Sequence, residues 1–179
     1  MPSPVRFEDE WEGNASFRHH FPELARREDR LVPLADETGC RIMVQDLMDT
    51  DAIYTKLPGL NADILVNNAG IAHIGNVEKT TEQDFDRIYN VNIKGVYNCI
   101  HAVIPFMKEK GGVILNMASI AATVGIKDRF AYSMSKGAAL TMMYSVAKDY
   151  LEYNIRCNSI SPARIHTPFV DGYLKNNFP

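Results

Sequence analysis

A tyrosine and a lysine four positions apart are the residues of this sequence best suited to proton transfer. Tyr132 and Lys136 begin an apolar run at 131–151, whose three- and four-residue spacing predicts a helix. Residues four apart on a helix share a face, so the Lys136 ammonium can lie beside the Tyr132 ring. A free tyrosine titrates near ~10, and a nearby cation favours its phenolate form. The pair therefore predicts a general acid/base for an alcohol or a carbonyl.

Ser119 precedes this pair and can donate a hydrogen bond to the same substrate oxygen if the fold brings it close. The alternative interpretation is an amphipathic helix whose tyrosine and lysine face water. The Tyr-x-x-x-Lys spacing alone is common by chance, so other parts of the chain must decide between the two.

Four stretches of the chain resemble, in matching order, the motifs of the short-chain dehydrogenase/reductase family. They are NNAG at 67–70, NVNIKG at 90–95, SIAA with YSMSK at 119–136 and NSISPARIHT at 158–167. The resemblance runs from about residue 25 to the C-terminus. It implies an oxidoreductase that uses NAD or NADP to interconvert a secondary alcohol and a ketone, both small molecules.

The resemblance also implies a role for each residue of a catalytic set. Tyr132 transfers the proton, Lys136 lowers the pKa of that tyrosine and holds the cofactor ribose, and Ser119 positions the substrate oxygen. Asn92 holds a water at a helix irregularity and connects it to Lys136. These roles together imply a proton relay that runs from Asn92 through the water and Lys136 to Tyr132.

Asn92 has a simpler alternative interpretation. An asparagine in the middle of a helix is unfavourable and needs a reason, but Asn90 and Asn98 stand close by. Asparagine is thus common in this stretch, and a solvent-facing Asn92 is the alternative.

The resemblance places the adenine end of the cofactor near two motifs. Asp46 would receive the adenine amino group and Leu47 would pack on the ring, although Asp46 could equally be the N-cap of the following helix. NNAG would lie beside the adenine and ribose, where its asparagines can tie neighbouring strands together; a simple turn cap is the alternative. The residues of this motif are Asn67, Asn68, Ala69 and Gly70.

Two further segments concern the nicotinamide and the cofactor's phosphate. Pro162, Ile165 and Thr167 are implied near the nicotinamide amide, although Pro-Ala replaces the family's usual Pro-Gly. Arg26 and Arg27 resemble a clamp for the 2′-phosphate of NADP, with a basic helix start as the alternative. The arginines favour NADP slightly over NAD.

Hydrophobic periodicity predicts strands that alternate with helices. Strands are expected at 41–46, 63–67, 112–119 and 155–161, with long helices at about 81–110 and 131–152. This order predicts an α/β fold, a Rossmann-like parallel sheet with helices on both faces. Ligands of such sheets bind at the carboxyl ends of the strands. Ser119 is one of three candidate residues that lie at such ends, the others being Asn67 and Pro162.

Smaller expectations concern the N-terminal half. The strand at 63–67 is apolar and predicts burial on both faces. A helix of about ten residues is expected after residue 25, with Pro33 in its first turn.

The resemblance is incomplete at both ends. Residues 1–24 show no strand pattern and predict a poorly ordered arm, and 25–179 predict a partial Rossmann-type domain. No glycines have the family's GxxxGxG spacing, which normally brings the pyrophosphate to a helix N-terminus. We therefore expect the N-terminal strand–helix unit to be missing and cofactor binding to be weak. A truncated, non-catalytic remnant that acts only as a folded or dimerising module is the second hypothesis.

Composition excludes several classes of function. The net charge of −3 over 179 residues gives no electrostatic reason for nucleic-acid binding. No apolar run reaches ~18 residues, and no cysteine–histidine spacing indicates a metal. Three isolated cysteines favour a reducing, cytoplasmic compartment. The helix at 131–152 is apolar or small on more than one face, which predicts self-association, and the family resemblance implies a homodimer or homotetramer. Cover by C-terminal elements of the same chain is the alternative.

Overall fold

Strands and helices alternate along the chain. The computed structural model describes residues 23–38, 42–163 and 165. The strands are β1 Glu23–Ala25, β2 Ile42–Val44, β3 Ile64–Asn67, β4 Gly112–Met117 and β5 Ile155–Ile160. The α-helices are α1 Glu28–Thr38, α2 Thr50–Lys56, α3 Glu82–Tyr89, α4 Gly95–Lys110 and α5 Phe130–Asp149. The predicted alternation is confirmed.

Every pair of neighbouring strands runs parallel. β1 pairs with β2, and β4 lies between β3 and β5 in a second sheet. Asn67 is in register with Asn116 and Met117 with Ile160, so the carboxyl ends of β3, β4 and β5 meet at one edge. This is the parallel, Rossmann-like sheet that the sequence predicted, and its carboxyl edge is where a ligand site is expected.

One apolar core joins the two sheets. Its buried side chains come mainly from α2, α4, β4 and β5, and both Leu24 of β1 and Leu65 of β3 pack against it. Helix α4 contacts β3 and β4, whereas α5 contacts β4 and β5. None of the described helices is long and apolar enough to cross a membrane. Because α4 and α5 pack on neighbouring strands, the loops that join these helices to the strands are held at the carboxyl edge of the sheet.

Strand β3 is less buried than the sequence predicted. Ile64 and Val66 are 45% and 49% exposed, whereas Leu65 between them packs against the core. Successive side chains of a strand point to opposite faces, so only the face with Leu65 is well covered. The expectation of a strand buried on both faces is wrong, because an apolar sequence does not reveal whether a partner covers each face.

The N-terminal elements differ in two details from expectation. β1 includes Glu23 and Leu24, which lie within the range predicted to be an arm. Pro33 lies in the middle of α1 rather than in its first turn. A proline there removes one backbone hydrogen bond, and buried Leu31 on the same helix supplies packing that the propensity argument omitted.

The long helical region predicted at 81–110 contains an irregularity. Thr81 caps α3, since its hydroxyl accepts a hydrogen bond from the Asp84 amide at 3.1 Å. A π-helical turn, Asn90–Lys94, then separates α3 from α4. Such turns insert an extra residue and are frequent at functional sites. The turn places Asn92 at its centre.

Two isoleucines on neighbouring strands test this account of the core. Ile114 of β4 is fully buried, whereas Ile160 of β5 is 48% exposed. We expect Ile114→Ala to lower the free energy of unfolding by about 2–5 kcal/mol because it leaves a cavity. Ile160→Ala should cost no more than about 1 kcal/mol. Urea unfolding of both variants measures the difference, and equal losses would contradict the assigned faces.

Candidate active site

Lys136 is a buried cation anchored to the end of a strand. Its ammonium donates a 2.7 Å hydrogen bond to the Met117 carbonyl at the end of β4 and lies 5.9 Å from the centre of the Tyr132 ring. Burial lowers the pKa of Lys136, because a desolvated ammonium is less favourable. Among the described residues no carboxylate pairs with Lys136. The cation is therefore held beside the tyrosine while keeping capacity for other acceptors.

Ser119 lies at the same edge of the sheet. It follows β4 by two residues, is buried, and accepts a 3.2 Å hydrogen bond from the Ala121 amide. The next residue, Ile120, donates its amide to the Pro162 carbonyl at 2.9 Å. The segments after β4 and β5 are thus tied together next to the strand end that anchors Lys136.

Asn92 links the segment after β3 to α5. Its side chain is 2% exposed, so the alternative of a solvent-facing asparagine is wrong. The amide group donates to the Ile71 carbonyl and to the Ser135 hydroxyl, both at 2.9 Å, and its oxygen accepts from the Ile71 amide at 2.8 Å. Ser135 in turn donates to the Tyr132 carbonyl at 2.8 Å. Asn92 therefore fixes the helix turn that carries the candidate tyrosine.

Gly70 brings the lysine and the asparagine to one place. A Cβ atom at this glycine would lie 3.3 Å from the Lys136 ammonium nitrogen and 3.5 Å from the Asn92 side-chain oxygen. A larger residue would crowd both groups. The water-mediated relay between Asn92 and Lys136 remains a prediction, but both ends of it border the same glycine.

The NNAG motif combines an internal tie with an exposed segment. Asn67 donates a 2.9 Å hydrogen bond to the Asn116 side chain, which itself donates to the Ala139 carbonyl at 3.3 Å. The expectation that an asparagine of this motif ties neighbouring strands is confirmed for Asn67. Asn68 and Ala69 follow at the surface of the carboxyl edge, where they are accessible to a ligand.

Asp46 and Arg26 lie at the ends of the two N-terminal strands. The Asp46 carboxylate is 3.7 Å from the Arg26 guanidinium and accepts a 2.9 Å hydrogen bond from the Met48 amide. Asp49, not Asp46, is the N-cap of α2, accepting from the Ala52 amide at 3.0 Å. The N-cap alternative for Asp46 is wrong because a turn intervenes before the helix begins.

The other predicted cofactor residues divide into three groups. The Arg27 carbonyl accepts a 3.1 Å hydrogen bond from the Leu31 amide. The alternative of a basic helix start therefore suits Arg27 better than it suits Arg26. Pro162 is half-buried and Ile165 is exposed beyond β5. Thr167 lies outside the described residues.

Sequence reasoning missed three buried polar residues that position this site. Ser135 and Asn116 are fully buried, and Asn98 donates a 2.8 Å hydrogen bond to the Leu47 carbonyl. Treating Asn98 as one of several unremarkable asparagines was wrong. The available signal was a polar side chain within an apolar run, which needs a partner when buried.

Comparison with known proteins agrees with this geometry. A family profile described as enoyl-(acyl carrier protein) reductase matches residues 21–178. An uncharacterized oxidoreductase of Thermotoga maritima is 48% identical over 101 residues, which are 56% of this chain and 40% of that protein. Dehydrogenase/reductase SDR family member 6 of Danio rerio is 37% identical over 143 residues, which are 78% of this chain and 58% of that protein.

Solved structures give the same result for the fold. NAD⁺-bound xylitol dehydrogenase superposes with a TM-score of 0.79 at 29% identity, covering 83% of this chain and 62% of that one. Serine dehydrogenase from Escherichia coli superposes with a TM-score of 0.79 at 27% identity, covering 85% and 74%. The chain spans about half the length of the curated relatives it matches. With its motifs, fold and family profile in agreement, the chain belongs to the short-chain dehydrogenase/reductase family.

Proposed function

We propose that this chain carries the active site of an NAD(P)-dependent oxidoreductase that interconverts a secondary alcohol and a ketone, with Tyr132 as the general acid/base. The observation that carries the proposal is the placement of the Lys136 ammonium beside the Tyr132 ring and against Gly70. This placement supports proton transfer at the carboxyl edge of the sheet, where a dinucleotide is expected.

The residues at this edge fit a nicotinamide dinucleotide. Gly70 has no side chain between the backbone and the Lys136 ammonium, so hydroxyl groups of a ribose can approach that cation. Asp46 and Leu47, which follow β2, offer an acceptor and an apolar surface to an adenine. When bound, such a cofactor supplies or accepts the hydride.

The chain's own groups handle the proton. In the reductive direction the Tyr132 hydroxyl gives its proton to the carbonyl oxygen of the substrate, and in the oxidative direction it takes that proton back. The Lys136 ammonium lies beside the Tyr132 ring. Because burial lowers the pKa of Lys136, its own proton is also easier to pass on. Ser119 would hold the substrate oxygen by a hydrogen bond.

Two tyrosines of α5 separate the catalytic role from a structural one. We expect Tyr132→Phe to lower turnover by roughly 10²–10⁴-fold, since it removes a general acid/base. Tyr144→Phe, on an exposed side chain of the same helix, should leave turnover unchanged. Cofactor oxidation with a panel of ketones measures both, and the melting temperature checks folding.

Three results would count against the proposal. A Tyr132→Phe variant with the unmodified rate would exclude the assigned role of the tyrosine. Reduction of an enoyl thioester but of no ketone would exclude the alcohol/ketone chemistry. If neither NADH nor NADPH binds, measured by fluorescence titration, the second hypothesis of a non-catalytic folded module is favoured.

We also propose that NADP is preferred to NAD. The Arg26 guanidinium is mostly exposed at the end of β1 and close to Asp46, where it could clamp a 2′-phosphate in bidentate fashion. Arg26→Ala should raise the Kd for NADPH about 10-fold or more, the value of a hydrogen bond to a charged group. The Kd for NADH should change little.

Arg87→Ala is the matched control for Arg26→Ala. Arg87 is similarly exposed on α3 and pairs with Asp84, so its loss should leave both Kd values unchanged. If Arg26→Ala weakens NADH and NADPH equally, Arg26 does not read the 2′-phosphate.

Self-association through α4 and α5 is the third part of the proposal. An open groove of about 330 Å³ lies on the outer surface of these helices and is lined almost entirely by apolar atoms. Exposed Thr141 and Ser145 are small enough for a second copy to approach closely, and a twofold contact would use the same surface on both chains. The groove is lined by Tyr97, Ile100, Ala138, Thr141, Met142, Ser145 and Val146.

The variant that tests this contact must lie on the exposed side of α5. Met143 packs against the chain's own core, so a charge there would disturb folding. Ser145→Arg should instead convert a dimer into a folded monomer, because Ser145 is exposed and its replacement leaves the chain's own core intact. Glu109→Arg, exposed on α4, serves as the control. Light scattering measures the mass, and a single-chain mass for the unmodified protein at micromolar concentration would refute the contact.

A further inference from the structure

The loop between β2 and α2 is held in place by a residue of a distant helix. Asp46 accepts a 2.9 Å hydrogen bond from the Met48 amide, which forms a tight turn around Leu47. The Leu47 carbonyl accepts a 2.8 Å hydrogen bond from the Asn98 side chain on α4. Asn98 is 1% exposed, and its amide also lies 3.5 Å from the Thr50 hydroxyl. A buried amide thus supports a short surface turn.

Gly95 supports the same leucine at a second point. It lies three residues before Asn98, on the same face of α4. A Cβ atom at Gly95 would be 3.3 Å from the Leu47 Cβ and 3.5 Å from its Cδ1. The Leu47 side chain therefore packs directly on the bare helix backbone. Leu47 remains only half-buried, so one side of it stays available to a ligand.

We propose that Asn98 and Gly95 are positioning residues for the adenine end of the cofactor. The inference rests on the proposed function, in which Asp46 and Leu47 receive the adenine. Asn98 fixes the backbone of Leu47, and Gly95 sets how close the leucine lies to α4. Surface turns are otherwise among the more mobile parts of a protein, so these contacts hold the adenine surface ready before binding.

Asn98→Leu tests the hydrogen bond. The substitution keeps a similar size but removes the donor and leaves the Leu47 carbonyl without its partner. We expect the Kd for NADPH to rise by up to about 10-fold, because binding must then order the released turn, at a cost of at most about one buried hydrogen bond. The Kd for reduced nicotinamide mononucleotide, which has no adenine, should stay within about twofold. Fluorescence titration measures both.

Gly95→Ala tests the packing and separates positioning from stability. Alanine favours a helix more than glycine does, so the melting temperature should stay the same or rise. The added methyl group nevertheless presses on Leu47 and should raise the Kd for NADPH. A purely structural role would move stability and affinity in the same direction. Gly137→Ala is the control, because a Cβ there meets only the Ala122 carbonyl oxygen, at 3.9 Å.

The outcomes are distinguishable. Unchanged NADPH affinity in both variants, or equal weakening of NADPH and the mononucleotide, overturns the positioning role. Failure of the unmodified chain to bind any nicotinamide cofactor refutes the proposed function instead. Hydrogen exchange of the Met48 amide, measured without cofactor, tests whether Asn98 stabilises the turn around Leu47. We expect faster exchange in Asn98→Leu, and an unchanged rate overturns the positioning role of Asn98.

Discussion

The hydrogen bond from the Lys136 ammonium to the Met117 carbonyl places a buried positive charge at the end of β4. A buried ammonium is costly unless it has acceptors, and the Met117 carbonyl lies one residue beyond the last residue of β4 that pairs with β3. For the bond to form, α5 must lie directly against the end of that strand. The position of Tyr132, one helical turn away, follows from the same contact.

Buried asparagines fix the loops around this contact. Asn67 and Asn116 join β3, β4 and α5, and Asn92 joins the segment after β3 to the turn that contains Ser135. Asn98 performs the equivalent task for the loop after β2. An asparagine has both donor and acceptor groups, so one side chain can bind a backbone segment of another element. Each tie therefore joins a segment at the carboxyl edge to a neighbouring element.

Sequence reasoning could predict features that depend on local patterns. The helix with Tyr132 and Lys136 followed from apolar periodicity, and the strand end at Asn67 followed from the length of an apolar run. β4 ends at Met117, two residues before the predicted end at Ser119. Asn98 could not be predicted as a support for Leu47, because its partner lies 51 residues away. A composition pattern carries no information on such a pair.

The other differences between the predicted and the observed structure also depend on features that local residue types do not reveal. Asp46 and Asp49 are both reasonable helix caps by residue type, and only the backbone turn between them decides that Asp49 is the cap. The apolar residues of β3 fit a buried strand equally well whether one face or two are covered. Pro33 is acceptable within α1 because tertiary packing of Leu31 outweighs local propensity.

The burial of Lys136 links stability to binding. Because burial lowers the pKa of Lys136, the unfolded chain holds this proton more tightly than the folded chain does. Stability from this group therefore increases as pH rises from the lowered folded value towards the ordinary value near ~10.4. Below the lowered folded value both states are protonated, and the folded chain bears the full cost. In the proposed function, ribose hydroxyls at Gly70 would replace part of the hydration that the buried Lys136 ammonium loses.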